Sequence, residues 1–234
     1  MFILVGTFVV IICYLVKLGV NGHINFVDSV DCSKYFLKFF SKFVTIYLKM
    51  SGISALFIVA EGSEELELVA PVDILRRANI HVTIADLADS EYVKTKSNIF
   101  IKTDAKLSDV KSKKFDAVVI PGGPSYKTLA TADVVGEILK VQENSGGVIA
   151  AICAAPYVLF KHEIAKGKKL TCYPSVKSEI EHAYTYQNNT TVIDGKLITS
   201  QGPATAIEFG LNIVEVLTNQ EEKNKVAKAI LYSD

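Results

Sequence analysis

Short apolar runs alternate with helical segments from Ile53 onward, and this alternation limits the chain to very few folds. Three of the runs, Ile53–Ala60, Asp116–Ile120 and Gly147–Ile152, contain almost no polar residues. Runs of this kind are typical of strands that are buried on both faces of a parallel sheet. Parallel neighbours need a crossover connection, which the helical segments supply. The pattern therefore predicts an α/β fold, a doubly wound parallel sheet of the flavodoxin-like or Rossmann-like kind, flanked by helices.

Weaker signals define the other elements of this domain. Pro71 falls inside the first predicted helix and predicts a kink there. No linker, repeat or low-complexity segment follows residue 50, so residues 50–234 are expected to form one catalytic domain. Helices are predicted at Ser63–Asn79, Ala132–Asn144, Ala155–His162, Ala204–Leu217 and Glu221–Ile230, further strands at Val82–Ala85 and Lys196–Ser200, and a peripheral hairpin at Tyr92–Lys102.

The first 49 residues differ in character from the rest of the 234-residue chain. They carry five Lys and two Asp, a charge of +3, whereas residues 50–234 carry 20 basic and 23 acidic side chains, a charge of −3. The net charge of zero is the sum of these parts, and it gives no argument for nucleic-acid binding. Met1–Val16 is an unbroken run of apolar and small residues, and the Lys and Phe residues of 34–43 are spaced as in an amphipathic basic helix.

Three interpretations of this leader stay open. It is a secretory or bipartite targeting segment, or a membrane anchor, or it is absent from the mature protein because Met50 is the working start. The protein is expected in the cytoplasm if it starts at Met50, and in the secretory pathway or an organelle if residues 1–49 are translated. Contact with a membrane or an import receptor is expected only through residues 1–49.

Unusual residues follow three of the predicted strands, namely Glu61-Gly62, Gly122-Gly123 and Cys153. The carboxyl ends of parallel strands meet at one edge of the sheet, where ligands bind in open α/β folds. Cys153 stands where a buried strand turns into a helix, a position that exposes a nucleophile beside free backbone amides. These amides favour the anion, so a lowered thiol pKa is expected. The alternative is that Cys153 is a small core residue.

Four segments resemble one known family. They are VAEGSEELE at 59–67, VVIPGG at 118–123, AAICAAP at 150–156 and ITSQGP at 198–203. Together they resemble the ThiJ/PfpI superfamily, and within it the parkinsonism-associated protein deglycase branch. The resemblance covers about residues 51–232, and no part of it extends into residues 1–49.

The resemblance implies that Cys153 is the catalytic nucleophile and that Glu67 is the acid in contact with its sulfur. A carboxylate would repel the thiolate, so Glu67 is expected to hold its proton and to have a raised pKa. Without the resemblance, Glu67 reads as one of several solvated acids in the first helix. The resemblance also implies an oxyanion-type and substrate-binding pocket formed by Gly122, Gly123, Ala154 and Tyr173.

Three positions bear on how far the resemblance extends. Tyr173 stands where the branch commonly has a histidine, and Gln201 stands where an arginine is usual. Tyr173 can donate a hydrogen bond, but it cannot act as a base near neutral pH. Ala154 follows the cysteine, where protease-like members have a histidine, which argues against peptidase chemistry of the Cys-His type. No spacing of Cys and His residues predicts a metal site.

Two functions from different classes follow. The first is a cofactor-independent, glutathione-independent glyoxalase or protein deglycase that acts on methylglyoxal, glyoxal or their early protein adducts through Cys153. The second is a cysteine-based sensor of oxidative stress or a redox chaperone. The superfamily name also suggests a role in thiamine biosynthesis, but the sequence contains no phosphate loop or cofactor motif that would support it. The expected partners are small aldehydes or glycated proteins, and the resemblance implies a homodimer.

Overall fold

A seven-stranded sheet forms the centre of the computed structural model, which describes residues 52–232. All of its strand pairs are parallel except the pair at one edge, where the strand at Thr191–Asp194 runs antiparallel to the strand at Leu197–Ser200. The predicted doubly wound α/β fold is therefore confirmed, with one antiparallel edge strand. In spatial order the strands are β10 (Thr191–Asp194), β11 (Leu197–Ser200), β7 (Val148–Ile152), β6 (Ala117–Ile120), β1 (Ser54–Val59), β2 (His81–Asp86) and β5 (Ala105–Lys106).

Helices flank this sheet, and two small two-stranded sheets lie outside it. The antiparallel hairpin consists of β3 (Tyr92–Lys94) and β4 (Phe100–Lys102), and the other small sheet pairs β8 (Lys169–Leu170) with β9 (Thr185–Tyr186). The helices are α1 (Glu65–Arg77), α2 (Leu107–Val110), α3 (Tyr126–Leu129), α4 (Asp133–Asn144), α5 (Pro156–Lys161), α6 (Pro174–Ile180), α7 (Ala206–Leu217) and α8 (Gln220–Ala229). A 3₁₀ turn at Pro203–Thr205 leads into α7.

Burial explains why the sheet could be read from the sequence. Every residue of β6 and β7 is buried, and so is every residue of β1 after Ser54. Because both faces are covered, these strands have no polar face and appear as continuous apolar runs. Helices α1 and α7 pack closely, since a Cβ on Gly210 would lie 2.9 Å from Ile74 Cδ1 and 3.0 Å from Pro71 Cα.

The order of the strands sets the position of the site. From β1 the chain proceeds outward through β2 to β5 on one side, and from β6 through β7 to β11 on the other. The switch point lies between the neighbours β1 and β6, and ligands in such sheets bind above the carboxyl ends there. The residues that follow β1, β6, β7 and β11 consequently converge at one edge.

The predicted strands and the hairpin are observed, whereas several short elements were not predicted. They are β5, β8, β9, β10 and the helices α2, α3 and α6, each of seven residues or fewer. Periodicity is weak over such lengths, and burial against the rest of the fold stabilises them. The predictions about residues 1–49 and the start at Met50 lie outside the described residues. Within residues 52–232, no helix is both long and apolar enough to cross a membrane.

Candidate active site

Cys153 occupies a strained turn directly after β7. Its φ is +64°, a left-handed conformation that is uncommon for residues other than glycine. Two hydrogen bonds hold it there: its N–H donates to the Ser200 carbonyl at 2.8 Å, and its carbonyl accepts from the Tyr173 N–H at 2.7 Å. The residue is 8% exposed. Strain that the surroundings maintain in this way is typical of functional positions.

Two glycines after β6 let the backbone approach the cysteine. A Cβ on Gly122 would lie 2.6 Å from Glu67 Oε2 and 2.7 Å from Cys153 Cβ. Gly123 has a φ of +82°, and a Cβ there would lie 2.4 Å from the Gly62 carbonyl oxygen. A side chain at either position would collide with these neighbours and would force apart the segments that follow β1, β6 and β7. The Gly122-Gly123 pair is thus required by close contact as well as by backbone conformation.

Glu67 lies in the first turns of α1 and is completely buried. Its Oε2 accepts a hydrogen bond from the Gly122 N–H at 2.8 Å, and its carboxyl is close enough to the Cys153 thiol for each group to shift the pKa of the other. Its other oxygen, Oε1, is buried and has no hydrogen-bond partner among residues 52–232. The interpretation of Glu67 as a solvated helix acid is therefore wrong. Glu61 is the exposed acid of this segment.

The pKa of Glu67 is raised to about 7. Burial is the main cause, and the nearby carboxylate of Glu64 also raises it, whereas the hydrogen bonds to the carboxyl lower it. The direction agrees with the expectation from the sequence. The cause differs, because desolvation of the carboxyl dominates. A carboxyl with this pKa can exchange a proton near neutral pH, which suits it to general acid–base work.

The predicted fall in the thiol pKa is wrong. Burial, and after it the negative charge of Glu67, raises the pKa of Cys153 to about 12. The backbone amides of Gly123 and Ala154 hydrogen-bond to Cys153 and lower its pKa, but they do not outweigh burial. Around neutral pH the Cys153 thiol therefore keeps its proton, while the Glu67 carboxyl is partly protonated. Thiol with carboxylate and thiolate with carboxylic acid have the same net charge, so a proton can pass between them without a charge entering the core.

Tyr173 lies at the rim of the site, and 45% of its surface is exposed. Its N–H supports the backbone of Cys153, and its ring lies beside Gly202, where a Cβ would be 3.4 Å from Tyr173 Cδ2. Gln201 also lies at this edge, and its N–H donates to the Thr190 carbonyl at 3.0 Å. Tyr173 is thus attached to the nucleophile through its backbone, whereas its phenol is open to solvent.

The site also contains residues that the sequence pattern did not indicate. Glu64 caps α1 by accepting a 2.9 Å hydrogen bond from the Glu67 N–H, which orients the first turn. The charge of Lys96, in the turn of the β3–β4 hairpin, lowers the pKa of Glu67. Glu is not among the preferred N-cap residues, and the predicted helix already begins at Ser63, so this cap could not be recognised from the sequence. The position of Lys96 depends on packing of the hairpin, for which the sequence carries no signal.

The predicted site residues Cys153, Glu67, Gly122, Gly123 and Ala154 are brought together at the carboxyl edge. The second cysteine of this part of the chain, Cys172, is fully buried, and burial raises its pKa to about 11. Among residues 52–232, no group of three or more His, Cys, Asp or Glu side chains is placed to hold a metal ion.

Comparison with known proteins identifies relatives over the same part of the chain. Protein dj-1beta of Drosophila melanogaster is 49% identical over 180 residues, which cover 76% of this chain and 96% of that protein. Glutathione-independent glyoxalase DJR-1.2 of Caenorhabditis elegans is 43% identical over 171 residues, or 73% of this chain and 91% of that protein.

The fold gives the same result. The crystal structure of Drosophila melanogaster DJ-1beta superposes with a TM-score of 0.77 at 48% identity, covering 78% of this chain and 100% of that one. The structure of oxidized Toxoplasma gondii DJ-1 superposes with a TM-score of 0.74 at 33% identity, covering 78% and 100%. The model of the DJ-1/PfpI family matches residues 53–216, which include every residue of the site. The chain therefore belongs to the DJ-1/PfpI family.

Proposed function

We propose that the protein is a cofactor-independent glyoxalase or protein deglycase that uses Cys153 as its nucleophile. The observation that carries this proposal is the buried Glu67 carboxyl, which lies beside Cys153 next to Gly122 and whose pKa is raised to about 7. A relative that is 43% identical carries the name of a glutathione-independent glyoxalase, which supports this choice of reaction. The substrates are methylglyoxal, glyoxal or their early adducts on proteins.

The first step forms a bond between sulfur and the aldehyde carbon of methylglyoxal. The Glu67 carboxylate takes the thiol proton as the sulfur attacks and passes it to the aldehyde oxygen, which gives a hemithioacetal and restores the carboxylate. The amides of Gly123 and Ala154 lie against Cys153 and are placed to stabilise the negative oxygen while it forms. Glutathione is not needed because the protein supplies the thiol.

The second step moves hydrogen between adjacent carbons. Glu67 removes the proton from the carbon bonded to sulfur, which gives an enediolate, and returns it to the neighbouring carbon, while the hydroxyl proton passes to the former ketone oxygen. The result is a thioester, and its hydrolysis by water releases lactate and restores the thiol. The aldehyde carbon is oxidised while the ketone carbon is reduced, so no external oxidant or reductant takes part.

Replacing the nucleophile provides the direct test. Cys153→Ser should lower consumption of methylglyoxal, measured without glutathione on residues 50–234, by more than about a hundredfold. Cys172→Ser is the matched control, because that thiol is fully buried and the charges that act on it come from Lys177 and Glu181, which are outside the Cys153–Glu67 pair. Retained activity in the Cys153→Ser variant would overturn the mechanism.

We propose sensing of oxidants as a second role, favoured by the difference between the two cysteines. Cys153 is 8% exposed beside a carboxyl that can donate a proton, whereas Cys172 is 0% exposed. Peroxide would oxidise the Cys153 sulfur to sulfenic and then sulfinic acid and would itself be reduced to water. After graded peroxide treatment, mass spectrometry should find oxygen on Cys153 first. Equal oxidation of both cysteines would count against this role.

Family membership also supports the expectation of a homodimer. Leu66 and Val69 on α1 are 56% and 50% exposed, and such apolar side chains favour contact with a second copy. Analytical ultracentrifugation of residues 50–234 measures the state directly, and a monomer at micromolar concentration would contradict the expectation.

A further inference from the structure

A cavity of about 440 Å³ opens at the amino edge of the sheet, at the opposite ends of the strands from Cys153. It lies between the starts of β1, β6 and β7 and the carboxyl-terminal ends of α4 and α7. Its volume is within the range of small-molecule sites, about 300–1,000 Å³. The apolar part of its wall is formed by Ile53, Phe115, Ile138, Val141, Val216 and Leu217.

Positive charge surrounds this apolar wall. Lys111, Lys113 and Lys114 lie on the loop before β6, and Lys196 lies in the turn between β10 and β11. All four are exposed, and within residues 52–232 none of them forms an ion pair. Lysines in such numbers without partners leave the rim with an uncompensated positive potential.

The one acid among the lining residues, Asp116, offsets only one of the four lysine charges, so the rim keeps a surplus of positive charge. Asp116 accepts hydrogen bonds from the Ser54 N–H at 2.8 Å and from the Ser54 hydroxyl at 3.1 Å, which tie β1 to the start of β6. Gln142 is likewise occupied, since its side-chain amide donates to the carbonyls of Asp116 and Val148. The polar groups within the wall therefore serve the fold, and the lysines remain available to a ligand.

We propose that this cavity binds a single-chain amphiphile with an anionic head, of the fatty-acid carboxylate class. An apolar wall takes the chain, and the lysines on the rim take the head. The concave shape and a volume of about 440 Å³ suit one bound molecule better than a flat lipid surface. The site is separate from the proposed chemistry, since Cys153 lies at the other edge of the sheet.

Binding can be measured on residues 50–234. This part suffices, because its structural match accounts for the whole chain of Drosophila melanogaster DJ-1beta. Decanoate, kept below its micellar concentration, should bind with saturation in isothermal titration calorimetry. Decyltrimethylammonium has the same chain length and a positive head, and it should not bind. High salt should weaken the binding of decanoate, since exposed charges are screened.

Substitutions at exposed positions locate the site without disturbing the core. Lys113→Glu combined with Lys114→Glu should weaken decanoate binding by about tenfold or more, because attraction becomes repulsion. Val141→Glu should have a similar effect, because it places a negative charge on the apolar wall at a residue that is 66% exposed. Lys161→Glu, at the exposed end of α5, is the control and should leave binding unchanged.

Three outcomes would overturn the proposal. They are equal binding of the cationic amphiphile, decanoate affinity that is unchanged in the double lysine variant, and binding to anionic vesicles without saturable binding of monomeric decanoate. The last outcome would identify the lysine-rimmed face as a membrane contact. Activity of Cys153 toward methylglyoxal should be the same in all three variants, so failure of this site and failure of the proposed enzyme are distinguishable.

Discussion

Two glycines with positive φ, one at each edge of the central sheet, have very different surroundings. At the carboxyl edge, Gly123 has a positive φ and is packed so closely that a Cβ would meet backbone at 2.4 Å. At the amino edge, Gly146 also has a positive φ, of +71°, but a Cβ there would meet nothing within 4 Å. The comparison shows that the backbone at Gly123 is fixed by close contact with its neighbours, whereas the space beside Gly146 is open.

Replacing each glycine by alanine separates packing from backbone strain, and it should produce the largest effect. Gly146→Ala should lower the free energy of unfolding by about 1 kcal/mol, the cost of a left-handed alanine. Gly123→Ala adds a collision with the backbone and should cost about 3 kcal/mol or more, with loss of activity. Urea denaturation measures both. Equal costs would mean that the carboxyl edge is not as tightly fixed as its distances indicate.

The charge on Glu67 should produce the next effect. Its folded pKa, about 7, is above the ordinary value of 4.5, so the folded state holds the proton more tightly. Stability from this group is therefore complete below pH 4.5 and is lost as the pH rises through about 7. Glu67→Gln removes this loss and should stabilise the protein by about 2 kcal/mol at pH 8, after allowance for one unpaired amide donor.

Thermal or urea unfolding of this variant between pH 4 and pH 8 tests the sign as well as the size. The difference from the wild type should shrink toward acid pH, and activity toward methylglyoxal should be lost throughout. Glu61→Gln is a suitable control, because Glu61 is exposed and surface changes of this kind usually alter stability by less than about 0.5 kcal/mol. If the Glu67→Gln variant is less stable than the wild type at pH 8, the buried carboxylate does not destabilise the folded protein.

The smallest effect is expected at the rim. Tyr173 supports the nucleophile through its backbone N–H, which substitution does not remove, and its ring is half exposed. Tyr173→Phe should therefore leave stability and kcat nearly unchanged. It should raise KM for methylglyoxal by about threefold, the loss of one hydrogen bond to substrate. A fall in kcat instead would place the phenol among the groups that move protons.

What could be predicted from the sequence depended on whether burial leaves a local trace. The core strands are apolar throughout because both faces are covered, so Gly147–Ile152 was recognisable and the position of Cys153 followed from it. Edge strand β10 has only four residues and an alternating burial pattern. It pairs with β11 through a two-residue turn at Gly195 and Lys196, in which Gly195 has a φ of +66°, and this hairpin was not predicted from the sequence.

The electrostatics of the site could not be read from the sequence in the same way. The helix that follows Cys153 indicates a lowered thiol pKa, but the thiol is in fact surrounded by protein and lies beside the Glu67 carboxyl. Both effects come from residues that are distant along the chain. A motif can therefore name the residues of a site while leaving the balance of charge within it undetermined.

The hydrogen bonds at Cys153 also have a consequence for the order of folding. Both of its backbone partners, Tyr173 and Ser200, lie later in the chain, and each must be in place to hold the left-handed turn. A nascent chain that ends before Ser200 cannot build this conformation, whatever the state of β7. During synthesis the thiol thus stays unpositioned until the last strand of the sheet has been added. The left-handed turn at Cys153 is therefore completed only when the last strand of the sheet is in place.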